Sequence, residues 1–89
     1  MTEFDINIIN NKGLHARASA KFVELVEAFD ASCEISKDGM TVSGDSIMGL
    51  LMLAASKGSI INVKVWGKDD ASLANAIKVL VESNFDEDS

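Results

Sequence analysis

Eighty-nine residues set the scale of one small core, and an apolar share of 47% beside 25% charged residues is that of a globular chain, not a disordered one. Eight Lys and Arg against 14 Asp and Glu leave a net charge of −6, which argues against nucleic acid and anionic membrane surfaces as partners. No apolar stretch reaches the about 18 residues of a membrane span, the start at Met1-Thr2-Glu3-Phe4-Asp5 lacks the regions of a secretory signal, and one Cys with one His supports neither an internal disulfide nor a metal site.

Phe4, Ile6 and Ile8 alternate with Asp5 and Asn7, the period of a half-buried strand. Asn10-Asn11-Lys12-Gly13 breaks that pattern, with Gly13 suited to a positive-φ turn. Phe22, Leu25, Val26 and Phe29 then recur at helical spacing, which predicts a first helix over about 16–29. Cys33 and Ile35 alternate with Glu34 and Ser36, and Met40 and Val42 with Thr41 and Ser43. The intervening Asp38-Gly39 signals a tight antiparallel hairpin.

Ser46 precedes a short apolar run that Lys57-Gly58 closes, which predicts a capped helix over 47–55. Leu50, Leu53 and Ala54 are expected to form its buried face, leaving Ile47, Met48 and Leu51 outside at i, i+1 and i+4. Ile61, Val63 and Val65 mark a fourth strand, with Trp66 in the opposite phase on the open face. Asp69-Asp70 are expected to cap a last helix whose stripe is Leu73, Ile77, Leu80 and Val81. The order βαββαβα reads as an α+β fold, a four-stranded antiparallel sheet with three helices on one face. The whole of 1–89 reads as one domain. Its acidic end, over 85–89 with Asp86-Glu87-Asp88-Ser89, reads as a solvated tail. Cys33 reads as a small core residue in a reducing, cytoplasmic setting.

The chemistry concentrates in Gly13-Leu14-His15-Ala16-Arg17, which holds the only histidine. Neutral imidazole is a nucleophile near pH 7, and here it stands where a helix begins. The first N–H groups of a helix lack internal partners and favour negative charge, and Arg17 adds a planar fork of donors for phosphate oxygens. The same residues also fit a capping or surface histidine with no catalytic role. Ser46 likewise fits an ordinary helix cap.

Together with Ser46-Ile47-Met48-Gly49-Leu50-Leu51, this motif resembles the HPr family, the histidine phosphocarriers of the bacterial phosphotransferase system. The similarity extends to Ala20-Lys21-Phe22-Val23, Lys37-Asp38-Gly39 and Ala55-Ser56-Lys57-Gly58, nearly the whole chain. The resemblance implies an open-faced β-sandwich that takes a phosphoryl group from Enzyme I and passes it to a IIA protein or domain. His15 is then the phosphorylated residue, through Nδ1, and Arg17 its phosphate-binding neighbour. Ser46 corresponds to the serine that HPr kinase/phosphorylase modifies, and Ile47, Met48 and Leu51 belong to the docking face. No cofactor or metal is implied. The second reactive group comes from the partner, so the chain is expected to be a monomeric carrier and not a stand-alone enzyme.

Two departures stand out. Ala18 replaces the proline common in the family, which removes a rigid first turn. Glu24 and Glu27 stand where sugar-transport members often carry lysines, which points to a regulatory branch. A sugar-transport carrier and an adaptor read by its phosphorylation state are the alternative readings.

Overall fold

The structure is a computed structural model that describes residues 1–87. The elements in chain order are β1 (Thr2–Asn7), α1 (Ala16–Glu27), β2 (Ser32–Lys37), β3 (Met40–Ser43), α2 (Ile47–Met52), β4 (Ile60–Trp66) and α3 (Asp70–Glu82), followed by a 3-10 turn at Asn84–Asp86. The strands form one antiparallel sheet in the order β1-β4-β2-β3, so the last strand in sequence is central. Its alternation explains that position. Ile61, Val63 and Val65 point into the core, while Asn62 and Lys64 stand on the open face. On that face Lys64 lies between Glu3 of β1 and Glu34 of β2 in register, an opposite-charge pairing on both sides.

The helices cover the other face. Phe22 and Val26 of α1, Leu50 of α2, and Leu73, Ile77 and Val81 of α3 join the inward residues of the sheet in one buried cluster. Cys33 belongs to it, and burial with the nearby charges of Asp45 and Glu34 pushes its thiol up to about 12. Trp66 is exposed, opposite in phase to Val63 and Val65 as expected.

Tertiary contacts trim the predicted helices. The first ends at Glu27, and Phe29 packs beside the core from outside the helix. The second stops at Met52 instead of reaching 55. The N–H of Leu14 donates to the carbonyl of Ala55 at 2.8 Å, and Ala54 turns to a φ of +51°. That turn reverses the local faces, so Leu53 and Ala55 are buried while Ala54 is exposed. Ala54 is therefore not part of the buried face. Gly58, expected to stop the helix, instead has a φ of +92° in the turn into β4, where its N–H donates to Ile8. Asp69 occupies the N-cap of α3 without capping it, because its carboxylate accepts the N–H of Asp30 at 3.1 Å.

The end of the described chain is not a solvated tail. Phe85 is fully buried, Lys21 Nζ donates to its carbonyl at 2.6 Å, and the N–H of Asp86 donates to the carbonyl of Ser83. Asn84, Phe85 and Asp86 all have positive φ, near +58°, +56° and +60°. A bulky residue adopts that region only where packing enforces it, and the buried Phe85 ring supplies the enforcement. Asp88 and Ser89 lie outside the described residues.

Candidate functional site

The loop between β1 and α1 is held from two sides. The buried Asn10 donates through Nδ2 to the carbonyl of Gly13 at 2.9 Å, and the N–H of Gly13 donates back to the carbonyl of Asn10. Gly13 has a φ of +63°, and a Cβ there would meet the carbonyl oxygen of Ala55 and stand 2.7 Å from Ser56 Cα. Only glycine lets the loop lie this close to the segment after α2.

His15 follows as the N-cap of α1, in extended conformation, and its side chain makes no capping bond. The first backbone bond of the helix runs from the N–H of Ser19 to the carbonyl of His15. Among the described residues, the N–H groups of Ala16, Arg17 and Ala18 have no hydrogen-bond acceptor. They form the positive end of the helix dipole beside the imidazole. Ala18, where a proline is usual, is buried, and the helix starts at Ala16 without it.

Around the ring, Nδ1 lies 3.0 Å from the carbonyl oxygen of Gly13, and Nε2 lies 3.2 Å from Glu87 Oε1. Both nitrogens face oxygen acceptors, and a neutral ring with one N–H satisfies only one of them. Arg17 donates to the other Glu87 oxygen, Oε2, at 3.1 Å. The Glu87 side chain is only 12% exposed, whereas that of Arg17 is 71% exposed. Glu87 Oε1 is buried with no well-aligned hydrogen bond, so the His15 contact is a close approach of charge and not a directed bond.

The sequence brings His15 and Arg17 together, and the fold adds Glu87 from the far end of the chain. Sequence reasoning missed it. Its one signal was Phe85, a lone aromatic in an otherwise polar stretch, which marks an anchoring point.

Leu51 shares a shallow depression with His15, Lys12, Leu14, Ala54, Ala55 and Ser56. Met48, at 69% exposure, extends the apolar surface with Ile47, Leu51 and Met52, while Leu50 fills the core. Arg17, Glu24 and Glu27 recur along one exposed stripe of α1, where Glu24 borders a shallow depression with Leu80 and Asp86. Ser46 sits at the start of α2, roughly 7 to 8 Å along the helix axis from Leu51. Its Oγ accepts the N–H of Gly49 at 3.0 Å, the geometry of an N-cap.

Comparison with known proteins places this motif in a family. The family model described as "PTS HPr component phosphorylation site" matches residues 2–83. The chain belongs to the HPr family. The phosphocarrier protein HPr of Xylella fastidiosa is 39% identical over 89 residues, covering all of both chains. That of Neisseria meningitidis is 42% identical over 87 residues, 98% of each. The structure of HPr-C-His from Thermoanaerobacter tengcongensis superposes with a TM-score of 0.94 at 36% identity, again over the whole of both chains. The open four-stranded sheet with its three helices is thus the HPr fold, and the chain is a phosphocarrier of the phosphotransferase system. Glu87 lies beyond the stretch that the HPr family model matches. No helix among the described residues is long and apolar enough to cross a membrane.

Proposed function

We propose that His15 accepts the phosphoryl group from a phosphohistidine of Enzyme I and hands it to a IIA protein in a regulatory branch of the system. The observation that carries this reading is the placement of a side chain with a nucleophilic nitrogen beside Arg17 and three helix N–H groups that have no acceptor among the described residues. In the transfer, the imidazole lone pair of His15 forms an N–P bond as the N–P bond of the donor breaks, and the bonding pair returns to the donor ring. No net proton is exchanged. The phosphoryl group passes through a loose, in-line transition state, and Arg17 with the N–H groups meets the charge on its equatorial oxygens. For Nδ1 to react, the ring must turn away from the Gly13 carbonyl, which now faces that atom.

Ile47, Met48 and Leu51 dock partners, supported by their exposure next to the depression that His15 lines. Flexible methionines suit a surface that receives several partners in turn. Exposed Glu24 and Glu27, on the stripe of α1 that carries Arg17, favour partners with basic surfaces and so a regulatory rather than a standard sugar-transport set. Ser46 is a second modification site for an HPr kinase. Its hydroxyl is part-exposed, and a phosphate at that helix start would meet free N–H groups while placing charge against the docking face. The chain acts in the cytoplasm, where these partners reside.

The reading is tested by incubating the protein with phosphoenolpyruvate and Enzyme I and recording intact mass. One acid-labile phosphate on wild type, absent from His15→Ala, is expected. No phosphate on wild type, with Enzyme I active on another carrier, would leave the adaptor reading in its place.

A further inference from the structure

The buried amide of Asn10 stands one carbonyl away from the reacting nitrogen. Its side chain donates through Nδ2 to the Gly13 carbonyl at 2.9 Å, and the same oxygen lies 3.0 Å from His15 Nδ1. We propose that Asn10 is a positioning residue for phosphoryl transfer, which keeps the Gly13 carbonyl hydrogen-bonded when His15 Nδ1 gives that carbonyl up. The inference rests on His15 being phosphorylated through Nδ1.

As a mere core residue Asn10 is a poor choice. It is 1% exposed, and its Oδ1 is buried with no hydrogen-bond partner among the described residues, which costs stability. Flipping the amide gives no relief, because its oxygen would then face the Gly13 carbonyl oxygen. What remains in its favour is Nδ2, whose one acceptor among the described residues is Gly13. The backbone answers in the opposite direction, with the N–H of Gly13 donating to the Asn10 carbonyl at 3.1 Å. Two opposed bonds thus close the turn between Asn10 and Gly13, and neither involves His15.

A neutral imidazole carries one hydrogen. With that hydrogen on Nδ1, the Gly13 carbonyl accepts it and the ring cannot attack through this atom. The reactive tautomer carries its hydrogen on Nε2 and offers the Nδ1 lone pair, which the carbonyl oxygen repels at 3.0 Å. The ring then turns, and the N–P bond forms at Nδ1 as the N–P bond of the donor breaks and its electron pair returns to the donor ring. From the change of tautomer onward, the Gly13 carbonyl has lost its ring donor. Gly13 is buried, so a carbonyl left without any donor there would oppose each of these steps. Asn10 supplies a donor that stays in place throughout.

The test uses Asn10→Leu, which keeps the branched shape without the amide, and Asn10→Ala, which removes the amide with less volume. Urea unfolding ranks their stabilities. In steady-state transfer from Enzyme I, both are expected to show a maximal rate lowered by roughly fivefold to thirtyfold, the size of one buried acceptor left without its donor. The KM for the carrier should stay at the wild-type value, since Asn10 has no surface to offer Enzyme I. Chemical shifts of the ring nitrogens, recorded where the imidazole is neutral, should move toward the Nδ1–H tautomer in both variants. In wild type, the scalar coupling across the hydrogen bond from Asn10 Nδ2 to the Gly13 carbonyl carbon should survive phosphorylation. A wild-type rate in either folded variant, or a slowing that follows stability with unchanged ring shifts, would overturn the inference alone. So would loss of that coupling on phosphorylation, which needs no variant at all. No phosphate on wild type, with Enzyme I active on another carrier, would overturn the carrier reading and the inference together.

Discussion

Gly13→Ala and Gly39→Ala form a matched pair, because both glycines have positive φ, +63° and +83°, but only one is crowded. Holding alanine in the left-handed region costs about 1–2 kcal/mol at either position. At Gly39 the cost ends there, since a Cβ would have no neighbour within 4 Å. At Gly13 the new Cβ meets backbone, the Ala55 carbonyl and Ser56 Cα, which cannot swing aside as a side chain could. Relief requires the two segments to separate, and that breaks the 2.8 Å bond from the Leu14 N–H to the Ala55 carbonyl. Losing that bond in a buried place adds about 1–3 kcal/mol. Gly13→Ala should therefore destabilise the protein by about 2–5 kcal/mol and Gly39→Ala by about 1–2 kcal/mol. Urea unfolding followed by far-UV circular dichroism measures both. Equal losses in the two variants would refute the close-approach argument and leave backbone conformation as the whole effect.

Phe85→Ala should cost about 3–5 kcal/mol in the same assay, as for other buried aromatics, whereas a solvated tail would leave stability within about 0.5 kcal/mol. The amino terminus and Thr2 beside Asp70 hold its carboxyl below its ordinary value of 3.8. A depressed carboxyl contributes stability above its unfolded value that is lost as pH falls through its folded one. Asp70→Asn should thus flatten the decline of stability below about pH 4, and a parallel decline in both proteins would count against the contact. Cys33, pushed up to about 12, should resist a thiol reagent at pH 8 until the protein unfolds. Because its folded value is raised, its contribution is intact below the unfolded thiol value and declines as pH rises above about 9. Rapid native labelling would show that the thiol is not enclosed.

Much of this architecture was legible because its determinants are local. Alternation located all four strands, Asp38-Gly39 the hairpin, and Ser46 the cap of α2, and each depends on residues within a few positions. His15 and Arg17 were readable for the same reason, being two residues apart on one helix start. The misreadings share an opposite cause. The end of α2 is set by an acceptor that Leu14 requires, 41 positions away in sequence, so no local rule placed Ala54 outward. Glu87 reaches Arg17 across a sequence separation of 70, and its approach depends on a run of left-handed residues ahead of it. Asn84 and Asp86 tolerate that conformation, but Phe85 gives no propensity signal for it. The same acidity that suggested solvation is what makes Glu87 a partner for Arg17.

The sheet order β1-β4-β2-β3 also constrains when the molecule can come into being. During synthesis β1 emerges first, yet its only strand neighbour is β4, with Ile6 opposite Ile61. Until residue 60 and its successors arrive, the nascent chain can close the β2–β3 hairpin but has nothing to pair with its own beginning. Folding is therefore delayed until β4 has been made, and the high sequence separation of that pairing slows it further. The loop that bears His15 inherits this delay through the bond between Leu14 and Ala55. A chain interrupted before β4 would expose Phe4 and Ile6 as an unpaired, sticky strand and carry a histidine with no site around it.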